Sequence, residues 1–215
     1  MDFKKAFVTG GAGFIGSHVV DYLLESGKEV TVYDNFSTGQ EQFLAKAQKS
    51  SLLKVLRGDI LDFDSLNEAI GGHDFIFHLA AHADLKENIK ERGADLEQNT
   101  VATWKIAEAA QLNGVKGIAF SSTAAVYGEP DVFPTPETYA GRQTSLYGAS
   151  KLAAEGLLEA YSEYFAIDLY TFRFVSWLGE RYTHGCVFDF VKKLKSNPKE
   201  LEIYGDGNQV KSFLL

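Results

Sequence analysis

"VTGGAGFIGSHVVDYLLESGKEVTVYDN", residues 8–35, decides how the rest of the chain is read. Its glycines satisfy two spacings at once, G-x-G-x-x-G counted from Gly11 and G-x-x-G-x-x-G counted from Gly10. Ahead of them lies a short apolar run, "AFVTG" (6–10). Behind them Val19, Leu23 and Leu24 recur at helical spacing, and Gly27 stands where a helix C-cap belongs. The stretch therefore reads as strand, glycine turn and helix. In such a unit Gly10 and Gly11 permit the tight turn, and Gly13 lets a phosphate approach the backbone. Gly16 lets the helix pack closely on the sheet. The helix start then offers N–H donors and the positive end of a dipole to an anion.

Working outward, short apolar runs alternate with longer amphipathic ones. Strands are expected at 6–10, 29–34, 52–58, 74–80, 115–122 and 167–174, and helices near 14–26, 40–48, 64–70, 95–113 and 146–165. That alternation predicts an α/β fold, a Rossmann-type doubly wound parallel sheet. Asp34 ends the second strand about 20 residues after the glycines, where an acidic residue binds the adenosine ribose of a dinucleotide. "NFSTG" follows it, with no directly adjacent Lys or Arg for a 2′-phosphate, so NAD is favoured over NADP. Asp59 and Ile60 follow the third strand, where adenine would lie, although Asp59 reads equally well as a turn residue. "HLAA" (78–81) ends the fourth strand with small residues that either leave room for a cofactor or pack a helix.

Chemistry enters at the fifth strand and the helix after it. "SSTAAVYGEP" (121–130) ends the strand, "GEPDVFPTPETYAGRQTS" (128–145) reads as a loop, and "SLYGASKLAAEGLLEAY" (145–161) opens the helix. Tyr147 and Lys151 are four apart and share one helical face. An ammonium beside a phenol favours the phenolate and lowers its pKa, making a base usable near neutral pH. Thr123 sits at the strand end facing the same cleft, and its hydroxyl is placed to hydrogen-bond a reacting oxygen.

With these motifs in view, "TGGAGFIGSHVVDYLL", "DN" (34–35), "GDI" (58–60), "HLAA", "SSTAAVYGEP", "YGASK" and "GDGNQVKSF" (205–213) resemble one family. It is the extended short-chain dehydrogenase/reductases, within them the NAD-dependent nucleotide-sugar epimerase/dehydratase group, similar to UDP-glucose 4-epimerases. The resemblance implies that Gly10, Gly13, Phe14, Ile15 and Gly16 cradle the NAD pyrophosphate. It gives Asp34 and Asn35 the adenosine ribose and Asp59 and Ile60 the adenine. Leu79, Ala80 and Ala81 line the cofactor's path, Asn99 lies near it, and Lys151 bonds the nicotinamide ribose as well as tuning Tyr147. Tyr147 would take the proton of a sugar hydroxyl while hydride passes to NAD and returns to the other face of the ketone. Ala124 and Ala125 stand where dehydratases of the group carry an Asp-Glu pair, which favours epimerisation of a UDP-hexose at C4. Ser176 replaces the asparagine of the group's R-x-x-N. Ser122, Thr123, Ser176, Arg181 and His184 are the expected substrate contacts. A homodimer through a four-helix contact of 95–113 and 146–165 is implied by the same analogy.

The expected domains are an NAD-binding unit over 1–175 and the beginning of a small, incomplete substrate lobe over 176–215. The latter should hold a helix (186–195), a strand (200–204) and an unpaired apolar "FLL" end. Across 215 residues the hydrophobic share is 45% and the charged share 23%, a globular composition. The net charge of −8 argues against nucleic acid or an anionic membrane as partner. One cysteine, Cys186, permits no internal disulfide, and no run approaches membrane-spanning length, so a cytoplasmic protein is expected. Of the five histidines only His78 and His82 have a paired spacing, and because it straddles a strand end it reads as structural, so no metal site is expected. Two rivals remain: a reductase or dehydrogenase of the same family that releases NADH, and a non-catalytic NAD-binding module.

Overall fold

A computed structural model describes residues 3–83, 93–203, 205–208, 210 and 212–215. The chain divides into two units, Met1–Phe174 and Val175–Leu215.

The first unit is built on six parallel strands: β1 (Lys5–Thr9), β2 (Glu29–Asp34), β3 (Leu53–Arg57), β4 (Phe75–His78), β5 (Gly117–Thr123) and β6 (Asp168–Phe174). Their order is β3-β2-β1-β4-β5-β6, so the chain runs to one edge, returns to the centre, and then builds the other edge. The reversal falls between β1 and β4, and ligands of such sheets bind at the strand C-termini beside it. Phe7, Val8 and Ile76 of the central strands are fully buried, as expected where both faces are covered. On edge strand β3, Lys54 and Arg57 are exposed and discourage further pairing.

Helices α1 (Phe14–Glu25), α2 (Phe63–Ile70), α3 (Ala102–Leu112) and α4 (Leu146–Phe165) cover the sheet. Val20 and Leu23 of α1 pack with Val30, Val32, Leu44 and Ala47 in one core cluster. Ile106, Ala109 and Ala110 of α3 and Ala154 and Leu158 of α4 pack on Ile76, Ile118 and Phe120 in the other. The alanines keep α3 close to the sheet.

Three local expectations change. The helix expected at 40–48 is two 3₁₀ turns, Glu41–Leu44 and Ala47–Lys49. Leu44 and Ala47, three residues apart, are its buried pair, and a separation of three suits the 3₁₀ period. The helix expected over 95–113 enters as a π-helical turn, Leu96–Val101, before α3. In the second unit no strand forms over 200–203, and Tyr204 lies outside the described residues.

That unit contains β7 (Ser176–Trp177), α5 (Cys186–Ser196) and β8 (Phe213–Leu214), with β7 and β8 paired in parallel. The "FLL" end is thus partly paired instead of open, because Phe213 and Leu214 hydrogen-bond along Ser176 and Trp177. Within "KKLK", Lys192 and Lys195 are exposed, while Lys193 Nζ binds the Glu202 carbonyl at 2.9 Å and its carboxylate at 3.1 Å.

Candidate active site

The glycine turn joins β1 to α1. Gly10 has φ +68°, and a Cβ there would lie 2.7 Å from the Ala80 amide nitrogen. A Cβ on Gly16 would lie 2.0 Å from the Gly10 carbonyl oxygen, so α1 seats directly on the turn. Gly11 is needed for a different reason: its Cβ would strike Val32 of β2 at 2.8 Å. Around Gly13 the space is nearly open, with only the Gly10 oxygen within reach at 3.2 Å. Gly13 is the α1 N-cap and supplies no side-chain cap, which leaves the helix start at Phe14, Ile15 and Gly16 to an outside acceptor.

Asp34 locks this turn to β2. Its Oδ2 accepts from the Ala12 amide at 2.9 Å and its Oδ1 from the Phe36 amide at 2.8 Å. Asn35 donates to Asp59 Oδ2 at 3.2 Å, and Asp59 Oδ1 accepts from the Leu61 amide at 2.9 Å. Asp34, Asn35 and Asp59 are therefore brought together at the C-termini of β2 and β3. Ile60 is buried and belongs to the core, so its side chain packs inward.

At the end of β4, Leu79 and Ala80 are half-buried and Ala81 is exposed. Beneath them His78 is fully buried in a closed network. Thr103 donates to the Asn99 carbonyl at 2.5 Å, which uses its only hydroxyl proton. Its oxygen, 3.0 Å from His78 Nε2, must then accept, and Nδ1, 2.8 Å from the Thr9 hydroxyl, must accept from Thr9. Thr9 in turn accepts the Leu79 and Ala80 amides, each at 3.2 Å. Burial, and then the neighbouring Lys151, pushes the imidazole down to about 3, so it stays neutral. Its role is to hold the end of β4. Asn99 does related work: its amide bonds the His82 N–H at 2.9 Å, the His82 carbonyl at 3.0 Å and the Ser150 hydroxyl at 3.0 Å. Its polar atoms serve the fold, and any part it takes near a cofactor is one of positioning.

The start of α4 is fixed by Ser145, whose hydroxyl accepts from the Gly148 amide at 2.9 Å. A Cβ on Gly148 would lie 2.8 Å from the Ala125 carbonyl, so α4 presses against the 3₁₀ turn Ala124–Tyr127 that follows β5. That close approach brings Tyr147 to Thr123. Thr123 Oγ1 accepts from the Ala125 amide at 3.1 Å and lies close enough to the Tyr147 phenol to favour its ionised form. Lys151, one turn on, is 1% exposed, and its Nζ lies 4.2 Å above the Phe120 ring with no hydrogen-bond partner among the described residues.

The electrostatics differ from the sequence expectation that Lys151 lowers the Tyr147 pKa. Burial pushes the phenol up, the Asp95 carboxylate adds to this, and the Thr123 hydroxyl opposes it. Burial also pulls Lys151 down to about 7, against the field of Glu155, so its amine is only partly charged at neutral pH.

Glu155 completes the Tyr147–Lys151–Glu155 face at the same four-residue step. It takes the Ser122 hydroxyl and the Arg173 guanidinium, the latter at 3.1 Å through Nε and 2.8 Å through NH2. Ser122 is 3% exposed. Its hydroxyl is spent on Glu155, which corrects the expectation that its side chain meets a substrate. Of the other expected substrate contacts, Ser176, Arg181 and His184 lie in the second unit. Ser176 is on β7, Arg181 has φ +67°, and the exposed His184 has Nδ1 3.2 Å from the Thr183 hydroxyl. Among the described residues no group of three or more His, Cys, Asp or Glu could hold a metal ion.

Sequence reasoning missed Glu155, Arg173, Asp95 and His82. The four-residue step from Lys151 marked Glu155, and the same step links Asp95, Asn99 and Thr103.

The sequence profile of the NAD dependent epimerase/dehydratase family matches residues 6–215. The chain belongs to this family. Family members use NAD, and the structural neighbour UDP-glucuronic acid 4-epimerase of Bacillus cereus was crystallised with UDP-glucuronic acid and NAD. That neighbour has a TM-score of 0.88 and 30% identity over 97% of this chain and 68% of its own. DesIV, a dTDP-glucose 4,6-dehydratase of Streptomyces venezuelae, has a TM-score of 0.90 and 30% identity, covering 98% of this chain and 67% of that one. The UDP-glucose 4-epimerase of Corynebacterium glutamicum is 34% identical over 81% of this chain and 52% of its own length. The chain thus spans about half of that curated relative. Epimerases and dehydratases share the fold, so the division between them falls to individual residues.

Proposed function

We propose that the chain carries the NAD-binding and catalytic part of a nucleotide-sugar 4-epimerase acting on a UDP-hexose. The observation that carries this reading is the buried Lys151 amine, which has no hydrogen-bond partner among the described residues, one helical turn from a Tyr147 phenol that the Thr123 hydroxyl influences. Two features fit NAD. The α1 start at Gly13 carries no side-chain cap and so leaves its N–H groups to a pyrophosphate, and Lys151 Nζ is a buried donor that lacks an acceptor among the described residues until a ribose hydroxyl supplies one. In this reading Gly10, Gly13, Phe14, Ile15 and Gly16 hold the pyrophosphate, and Asp34 and Asn35 the ribose. Asp59 and Ile60 flank the adenine, and Leu79, Ala80 and Ala81 line the path toward Lys151.

When bound, NAD supplies the hydride acceptor and donor. Thr123 would orient the sugar hydroxyl, and the Tyr147 oxygen would take its proton and later return it to the same sugar oxygen once the keto-sugar has turned over and hydride has been restored to the opposite face of the carbon. Lys151, gaining a hydroxyl partner, holds its charge more readily and then favours the phenolate. Ala124 and Ala125 on the 3₁₀ turn offer no carboxyl for eliminating water, which supports epimerisation over dehydration. A reductase would use the same residues, so cofactor turnover separates the two. Ser176, Arg181 and His184 are assigned to the substrate side by family resemblance alone.

A homodimer is part of the proposal. Leu96, Trp104, Leu152, Tyr164 and Phe165 are exposed on the π turn, α3 and α4, and Tyr164 is 85% exposed. Among the described residues no helix is long and apolar enough to cross a membrane, and we place the protein in the cytoplasm.

The test is conversion of UDP-galactose to UDP-glucose with catalytic NAD, with Tyr147→Phe as control. We expect turnover without net NADH, lowered about 10²–10⁴-fold in the variant. NAD binding with no nucleotide-sugar binding would refute the epimerase reading. Stoichiometric NADH release would move it to the dehydrogenases.

A further inference from the structure

The residues that directly follow Asp34 in the chain include no cation, but the sheet supplies one from the side. Strands β2 and β3 pair in parallel with Asp34 opposite Arg57, so the last residue of β3 stands beside the last residue of β2. The Arg57 guanidinium lies 4.5 Å from the centre of the Phe36 ring. Its Nη1 is 3.5 Å from the Asn35 carbonyl oxygen and its Nη2 3.3 Å from the Glu41 carboxylate. Phe36 is a fixed platform for it. The Phe36 amide donates to Asp34 Oδ1 at 2.8 Å, its φ is +59°, and its side chain packs against the core cluster that holds Val30 and Val32. The guanidinium is thus held over the two residues that follow Asp34. Its ion pair with Glu41 is largely exposed on both sides, so the pair contributes little and yields to a stronger acceptor. The nearby Asp59 carboxylate is already engaged, by the Asn35 amide at 3.2 Å and the Leu61 N–H at 2.9 Å.

Resting on the assignment of Asp34 to the adenosine ribose, we propose that Arg57 is a specificity-determining residue at that end of the cofactor site, the cation available to a ribose 2′-phosphate. The preference for NAD over NADP then rests on the charge of Asp34 alone. With NAD the carboxylate accepts from the ribose hydroxyls, whereas with NADP it meets a phosphate dianion and Arg57 offsets part of the repulsion. Arginine suits that task because its planar fork presents two parallel N–H donors to phosphate. Asp34 is 8% exposed and tied to the Ala12 and Phe36 amides, so the acid stays in place while the surface arginine exchanges partners.

The experiment measures the ratio of NAD to NADP affinity by calorimetry on the whole chain, with NADP read through its displacement of NAD, so that no turnover is needed. In Asp34→Asn the ratio should move about tenfold or more toward NADP, and adding Arg57→Gln should take about tenfold of that back. Raising salt from about 50 to about 500 mM should weaken NADP binding to Asp34→Asn more than to the double variant, because an exposed guanidinium–phosphate pair is screened. A ratio that Arg57→Gln leaves unmoved overturns the proposal, as does a salt response common to both proteins. A merely structural Arg57 would weaken both cofactors alike and leave the ratio in place. Should Asp34→Asn not fold, the surface variant Glu41→Gln decides. By freeing Arg57 it should raise NADP affinity about threefold over the parent, and Arg57→Gln in the same background should cancel the gain. NADP binding no tighter than the parent's, or a gain that survives Arg57→Gln, refutes the proposal. A parent that binds no NAD, or an Asp34→Asn ratio equal to the parent's, sinks the ribose assignment. A shifted ratio indifferent to Arg57 sinks the role of Arg57 alone.

Discussion

Replacing Lys151 with methionine should make the cofactor-free chain more stable while destroying its affinity for NAD. The Lys151 amine is fully buried, has no hydrogen-bond partner among the described residues, and is pulled from 10.5 to about 7 by burial. Folding at pH 7 must then discharge or desolvate an ammonium that the unfolded chain keeps charged. By linkage this costs about 4 kcal/mol. The Phe120 ring, 4.2 Å from Nζ, returns roughly 1–2 kcal/mol of it. Methionine fills the same unbranched volume without the charge, so a net gain of about 2–3 kcal/mol is expected at pH 7. The sign of the pH dependence follows from the folded pKa lying below the unfolded one. Between about pH 7 and pH 10.5 the unfolded chain binds more protons, so the parent's stability rises through this window. The advantage of the variant should therefore shrink to under about 1 kcal/mol at pH 10. Urea unfolding followed by circular dichroism at both pH values measures it, and comparing the two proteins cancels other titrating groups. A variant less stable than the parent at pH 7, or an advantage indifferent to pH, would refute the reasoning. Such a residue, costly to the fold and kept nonetheless, is what a binding site exacts.

Gly16→Ala places a methyl 2.0 Å from the Gly10 oxygen, a backbone atom that yields only if α1 lifts from the turn. NAD binding should weaken by about 1–3 kcal/mol in calorimetry, and unchanged affinity would contradict the phosphate role of this turn. Glu155→Ala takes the carboxylate from the partly exposed Arg173 guanidinium, which keeps its bond to the Glu137 carbonyl, and should cost about 1–3 kcal/mol in urea unfolding. Pairing it with Arg173→Met should restore much of that loss, and a double variant as unstable as the single one would argue against the pairing. Asp34→Asn keeps one acceptor, for Ala12, turns an NH2 toward the Phe36 amide that Oδ1 now accepts, and removes the charge offered to a ribose diol. NAD affinity should fall by about 1.5–3 kcal/mol, with a smaller loss for NADP, in parallel binding titrations.

The sheet and its ligand-binding edge were legible because they rest on local chemistry. The positive φ at Gly10 and the steric demand at Gly16 leave few readings for the glycine turn. The strict four-residue step put Tyr147 and Lys151 on one face without reference to any other part of the chain. The polar groups that support them were not legible. Glu155 carries the same helical signal as a solvated glutamate, and only the approach of β5 and β6 reveals Ser122 and Arg173 as its partners. Ser122 looked like a site hydroxyl because it adjoins Thr123, yet alternation along β5 turns it inward to Glu155.

By itself the sequence determined the alternating strands and helices, the place where a phosphate would sit, and which phenol and amine share a helix face. These are questions of periodicity and of which backbone angles a residue tolerates, answered within a few residues. The tertiary structure alone decided the charge state of that pair, since burial pushes the phenol up and the amine down. It also set Asp95 against the phenol from 52 residues away, because desolvation and long-range fields depend on what surrounds a group and not on what precedes it in the chain.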